Sequence, residues 1–509
     1  MAAGAVAWNL ELVRMPPRSS SLRLHRARAT SSRAARLGAI TAGALAIALV
    51  GACAVNPVTG ERELSLISEQ QEIAMGADAA GQVAQQIGVV ENEALQQYVA
   101  DVGQRLAAVS ERPDLPWQFR VVDDPTPNAF ALPGGYIFVT RGLLALLTSE
   151  AQLAAVLGHE IGHVTARHSV AQMSRAQLAQ LGLGLGMILS PEIAQLGDLL
   201  GSGLQLLFLK YGRDDERQSD ELGFRYMLEV GYDVDETDDV FRALLAAGEQ
   251  AGASPLPSWL SSHPTEAERI RAAEQRAARL AARPADLRVG RDAHLDAIEG
   301  TIYGSNPRNG FFRGDWFYHP ELVFRFRLPA DWQRQNLTHA VVGVSPERDA
   351  AVELTIAPVR TPADAANAFF ANQAVQAVAS VRDELDGNPA IVSEFRAQSQ
   401  GGIMRGYVAH IGHGEAVYQL VAYAPEPAFR ARARDLRDIV GSFSAVTDPD
   451  VLSVQPKRIE IVELPREMTL AEFAEAYPSE ISTEELAVIN HVGVGDVLPA
   501  GSRLKRVVS

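Results

Sequence analysis

The chain has 509 residues, 47% of them hydrophobic and 21% charged, with a formal net charge of -16 and a single cysteine. That length exceeds one ordinary core and predicts two to four domains, and the composition is that of a globular chain. The negative charge argues against nucleic acid as the main partner, and one cysteine excludes an internal disulfide.

In chain order, the first 36 residues hold seven arginines against one acid, Glu11, and an uncharged apolar stretch follows over 37–55. A basic start, a short apolar segment and small residues before a boundary form the pattern of a secretory signal. Val50-Gly51-Ala52-Cys53 resembles a bacterial lipobox, so Cys53 is the expected lipidated N-terminus once residues 1–52 are removed. The other reading is a membrane anchor with a chance cysteine. Removal of that segment takes away a net six positive charges and leaves -22. Ala54, rather than an aspartate, follows the cysteine and favours the periplasmic side of the outer membrane.

Residues 56–115 read as helical. Residues 117–147 read as strand, turn, strand, turn, strand and helix, and 150–180 as strongly helical. The uncharged run 176–191 is sixteen residues long, short of the ~20 that span a bilayer. It reads as part of buried or interfacial helices that cover the neighbouring helix 150–180, with a membrane-spanning segment as the alternative. Residues 214–230 and 265–283 read as helices, and Pro284 suits a domain edge. Beyond Gly310, strands at 322–332, 350–359, 402–411 and 416–425 with helices near 362–380 and 427–443 predict an α+β domain. His410 and His413 fall on an expected turn there and are not assigned to a metal. Residues 468–507 read as strand-helix-helix-strand and resemble a LysM module. That resemblance departs at Glu467-Met468, where Gly-Asp is usual, and at His491 after Asn490. Glycan binding and a plain packing role are both open for it.

The chemistry centres on "LGHEIGHVTARH", residues 157–168. His159 and His163 are four apart and share one helix face, so both can hold one Zn²⁺. Glu160 sits beside the first ligand, where it can take a proton from water. The apolar run 153–157 before them predicts a buried helix, and buried histidines with a glutamate need a partner such as a metal. A metzincin would need glycine and histidine where Ala166 and Ser169 stand. His168 lies on a different face and reads as a supporting or structural residue. In "YGRDDERQSDELGFRYM" (211–227), Glu216 would complete a two-histidine, one-glutamate site, and Asp220, four residues on, would orient a ligand imidazole.

Five motifs in order carry a resemblance: "NPVTGERELSLIS" (56–68), "NAFALPGGYIFVTRGLL" (128–144), "LGHEIGHVTARH" (157–168), "RDDERQSDELG" (213–223) and "SHPTEAERI" (262–270). Together they resemble the HtpX/CAAX-prenyl-protease-1 family of HExxH zinc metallopeptidases, close to its periplasmic BepA-like branch. The resemblance implies that His159, His163 and Glu216 hold one Zn²⁺ per chain and that Glu160 is the general base. It further implies that His263 approaches the open metal position and that Arg269 stabilises the oxyanion. BepA-like proteins continue into helical repeats and this chain does not, so partners known through those repeats do not transfer. The expected class is α+β. A mainly helical zincin-type domain with a small sheet would span 53–285, an α+β domain of unassigned role 305–447, and the LysM-like domain 455–509. The expected substrates are unfolded or misassembled envelope proteins, with a lipid anchor to the membrane and peptidoglycan as a further partner. The rival reading is a non-proteolytic envelope chaperone or scaffold with a structural zinc.

Overall fold

The computed structural model describes residues 53–180, 211–250, 263, 267–280, 284, 286–337, 339–399 and 402–509. The predicted cover over 176–209 lies mostly outside them. Among the described residues no helix is long and apolar enough to cross a membrane.

Strands β1 (Cys53–Val55) and β2 (Arg62–Leu64) precede helices α1 (Glu69–Gln86) and α2 (Glu93–Ala107). The helical reading of 56–115 therefore fails at its start. Asn56 Oδ1 accepts from the N–H groups of Val58 and Thr59, a turn that competes with helix there. Ser68 and Gln71 then cap α1 reciprocally.

Strands β3 (Gln118–Val122), β4 (Ala129–Leu132) and β5 (Tyr136–Thr140) follow the predicted order. They form a sheet in the order β3-β5-β4, with β3 and β5 parallel and β4 antiparallel at one edge. The β4–β5 turn places Gly134 at φ 79° and Gly135 at φ 101°. A Cβ on Gly134 would also stand 2.6 Å from Ile73 Cα, so that turn sits directly on α1.

After α3 (Arg141–Leu146), Ser149 caps α4 (Glu150–Thr165), and every residue of α4 is buried. Arg167, at φ 59°, turns the chain into α5 (His168–Gln180). Helices α6 (Arg213–Glu229) and α8 (Ala267–Ala278) fall where helices are expected, and α7 (Glu236–Gln250) lies between them where the sequence reading had none. Small residues let α4 and α6 touch backbone to backbone. A Cβ on Gly158 would stand 3.1 Å from Gly223 Cα, and one on Gly162 3.0 Å from Ser219 Cα. This close approach brings Glu216 against the two histidines.

The expected edge at 285 does not end this core. Helix α9 (Arg291–Ile298) places Leu295 and Ile298, both 0% exposed, in the cluster that holds α4. Residues 311–445 form two further sheets. One is four-stranded, made of β6 (Phe311–Arg313), β7 (Trp316–His319), β8 (Phe324–Arg327) and β16 (Ser444–Ala445). The other is seven-stranded, made of β9 (Gln333–Asn336), β10 (Ala340–Val344), β11 (Ala351–Ala357), β12 (Val375–Leu385), β13 (Asn388–Ser399), β14 (Gly402–His413) and β15 (Ala416–Pro425). Helices α10 (Pro362–Phe370) and α11 (Glu426–Val440) accompany them. The helix expected near 362–380 stops at Phe370, because Val375–Leu385 pairs with β13 instead. His410 and His413 lie within β14 rather than on a turn. His410 Nε2 meets Gln419 Oε1 at 3.1 Å, and His413 Nδ1 meets Asn388 Oδ1 at 2.8 Å.

The C-terminal stretch has the strand-helix-helix-strand order expected, but its first long strand is β17 (Arg458–Glu463). That strand pairs with β20 (Arg503–Val508). Two short strands, β18 (Met468–Thr469) and β19 (Val497–Leu498), pair beside helices α12 (Leu470–Ala476) and α13 (Thr483–Asn490). This stretch is fastened to the core that holds α4. Lys505 is 0% exposed, and its Nζ donates to the carbonyls of Ala145 at 2.7 Å, Leu146 at 3.2 Å and Leu147 at 2.7 Å, at the end of α3. His491 Nε2 also meets the Leu146 carbonyl, at 3.0 Å. These bonds satisfy the last carbonyls of α3, while burial pushes the Lys505 amine well below its ordinary value. Lys505→Met keeps the stem and removes the donor to the Ala145 carbonyl, at about 1–3 kcal/mol for an orphaned group, while the Leu146 and Leu147 carbonyls keep His491 and His294. The expected result is a melting temperature lower by several degrees and faster proteolytic release of residues 455–509. An unchanged melting curve would show that the contact contributes nothing.

Candidate metal centre

Helix α4 projects His159 and His163 from one face, as the i, i+4 spacing requires. Helix α6 brings Glu216 opposite them, and His263 reaches the same point from a later segment. One donor atom from each of the four lies within 4.8 Å of all the others, and all four residues are buried.

The separations are those of a metal cage. His159 Nε2 stands 3.0 Å from His163 Nε2 and 3.2 Å from His263 Nδ1. Glu216 places Oε2 3.5 Å from His159 Nε2 and Oε1 3.5 Å from His163 Nε2. His263 Nδ1 meets Glu216 Oε1 at 2.8 Å. A tetrahedral zinc ion with ligands at about 2.0–2.1 Å spaces its ligand atoms about 3.3–3.4 Å apart. Lone pairs of imidazole and carboxylate that converge in a buried pocket call for a cation. The residues present therefore fit one Zn²⁺.

Three of the four donors are held from behind. With Nε2 turned inward, His159 Nδ1–H donates to Asp220 Oδ1 at 3.0 Å. Arg269 grips Asp220 through two bonds of 2.9 and 2.7 Å and pairs with Glu216 Oε2 at 2.8 Å. Arg269 also packs 4.8 Å from the Phe241 ring centroid. His168 Nδ1 lies 2.9 Å from His163 Nδ1, so it stands behind that ligand and not in the donor set.

The electrostatics follow from this packing. Burial alone would raise the Asp220 carboxyl, but the Arg269 charge and the bond from His159 outweigh it and hold it low. Glu216 is likewise held below its ordinary value, because His263, His159 and Arg269 outweigh burial. Burial and the neighbouring His159 push His163 far down, which keeps its lone pair available. Glu160 is 0% exposed, and its Oε1 lies 3.6 Å from His263 Nε2, beside the donor set rather than in it. Tyr211 and Gln218 escaped the sequence reading. Tyr211 stacks on the His163 ring at 3.8 Å with 25° between planes, a contact that no local spacing announces.

Residues 93–277 match the sequence model of peptidase family M48. The chain is 32% identical to the mitochondrial metalloendopeptidase OMA1 of Schizosaccharomyces pombe over 43% of its own length and 65% of that protein. It is 30% identical to the beta-barrel assembly-enhancing protease of Yersinia pestis, over 48% of this chain and 52% of that one. With the protein of the same name from Escherichia coli K12 it shares 27% identity, over 51% and 54%. The chain thus spans between 52% and 65% of the length of these three relatives.

Proposed function

Because the chain carries a peptidase family M48 domain over residues 93–277, we propose that it is a zinc-dependent metalloendopeptidase of the bacterial cell envelope. Its substrates are unfolded or misassembled envelope proteins. The observation that carries this reading is the buried convergence of His159, His163, Glu216 and His263 with Glu160 beside them.

One Zn²⁺ per chain would be held by His159, His163 and Glu216. When bound, the ion would polarise the scissile carbonyl and lower the pKa of the attacking water towards about 7. Glu160 takes the proton from that water and passes it to the leaving amine. A closed set of four protein donors leaves no position for water, whereas a catalytic zinc site keeps one open. His263 therefore gives way on substrate entry, while Glu216 remains fixed by Arg269. The oxyanion role of Arg269 requires its guanidinium to serve substrate while it still holds Asp220.

Strand β4 lies at an edge of its sheet and packs against α4. An extended substrate segment adds to that edge through backbone hydrogen bonds, which favours unfolded chains over a particular sequence. Two relatives named for β-barrel assembly are consistent with envelope substrates. Residues 455–509 are read as a LysM-like module, for which peptidoglycan is one candidate partner and packing on the core the other role.

The test is hydrolysis of casein by the purified chain. Activity should vanish with a chelator and return with Zn²⁺. Zinc binding without any hydrolysis would favour the chaperone or scaffold reading instead. The location rests on the lipobox pattern at Cys53. Cys53→Ser should leave the protein unlipidated and move it out of the membrane fraction. Fractionation identical to wild type would assign the anchor to another element.

A further inference from the structure

We infer that Gln218 and His168 form a hydrogen-bond chain that positions His163 and sets its strength as a metal donor, an inference that rests on the metal-centre reading above. With His163 Nε2 turned to the donor set, its Nδ1 carries the proton and donates to His168 Nδ1 at 2.9 Å. A neutral imidazole that accepts at one nitrogen donates from the other. His168 Nε2–H therefore donates to Gln218 Oε1, at 2.8 Å. The chain is directional and each member has a partner of the right sense.

The fold builds this chain deliberately into the site. Gln218 lies on α6 two residues after Glu216, so one helix supplies both a ligand and the far end of the chain. Arg167, at φ 59°, ends the ligand helix and swings His168 back behind His163. Tyr211 covers a face of the His163 ring and anchors its hydroxyl on Ser169 Oγ at 2.8 Å. The ring is thus fixed at its face and at its outer nitrogen.

The two ligand histidines are backed differently. His159 meets a carboxylate, Asp220, that Arg269 keeps ionised. His163 meets a neutral ring, which strengthens a ligand less than a carboxylate does. His168 and Gln218 touch no position of the donor set, so they act as positioning residues through His163.

The experiment titrates metal-free protein with Zn²⁺ against a chelating indicator and records the absorption spectrum of the Co²⁺-loaded form. His168→Leu should weaken zinc affinity by about 10–100-fold. His168→Asn should restore most of it, because Asn Oδ1 can stand where Nδ1 stood. Gln218→Met, which keeps the volume, should weaken affinity less than His168→Leu and have no effect in the His168→Asn background. Gln218→Glu should leave affinity equal or tighter, and both Gln218 variants should shift the Co²⁺ bands although no ligand has changed. Unshifted Co²⁺ bands and unchanged affinity in both Gln218 variants would overturn the chain. So would equal losses with and without His168. A wild-type protein that takes up no zinc would overturn the metal-centre reading itself.

Discussion

Glu160→Gln should lower hydrolysis of an unfolded protein by at least about 10²-fold, the lower range for loss of a general base. Zinc content and melting temperature should stay near wild type. The position of Glu160 separates the two effects. It follows His159 directly on α4, so its side chain leaves the helix at a different angle from the two histidines. The donor set closes without it. Glutamine keeps the shape and hydrogen-bonding reach at a site that is 0% exposed, and removes only the basic oxygen. The substrate binding proposed along β4 would involve backbone groups and survive, so the variant should retain unfolded chains instead of cleaving them. The measurement is a matched pair, metal analysis and turnover on both proteins. Equal turnover would end the proposed mechanism. A parallel loss of zinc and turnover would move Glu160 into the metal's own coordination.

Glu216→Gln should lose most of its zinc and, with it, its activity. Glutamine offers a neutral oxygen where a charged one stood. It also removes the charge of one of the carboxylates, Glu216 and Asp220, that pair with the Arg269 guanidinium. A buried cation that loses counter-charge is costly, so the arrangement of α8 against α6 should loosen as well. Asp220→Asn is the graded companion. It keeps an acceptor for His159 Nδ1 and removes the charge, and it should weaken zinc binding by about 10–100-fold. Full zinc occupancy in Glu216→Gln would transfer the ligand role to His263, whose Nδ1 is already 3.2 Å from His159 Nε2. His168 is a poor substitute, because its Nδ1 faces the outer nitrogen of His163.

Sequence alone determined the parts of this protein whose geometry is local. Residues four apart on a helix share a face whatever surrounds them, so His159 with His163, and Glu216 with Asp220, could be read as pairs before any fold was known. The same holds for the Pro-Gly-Gly turn between β4 and β5, where only glycine takes the positive φ cheaply. Tertiary structure decided everything that needs two distant segments. Gln218 and His168 are 50 residues apart, and Lys505 meets the end of α3 about 360 residues away. No periodicity in either segment encodes such a meeting. His263 and Arg269 entered through family resemblance, and only packing shows one inside the donor set and the other braced on two carboxylates. The strand Val375–Leu385 shows the limit from the other side. Its alanines and valines suit a helix as well as a strand, and its residues 376–384 are all exposed between the half-buried Val375 and Leu385, so no buried stripe sets the period. Ladder bonds to β13 settle its conformation, and those come from the partner strand rather than from its own sequence.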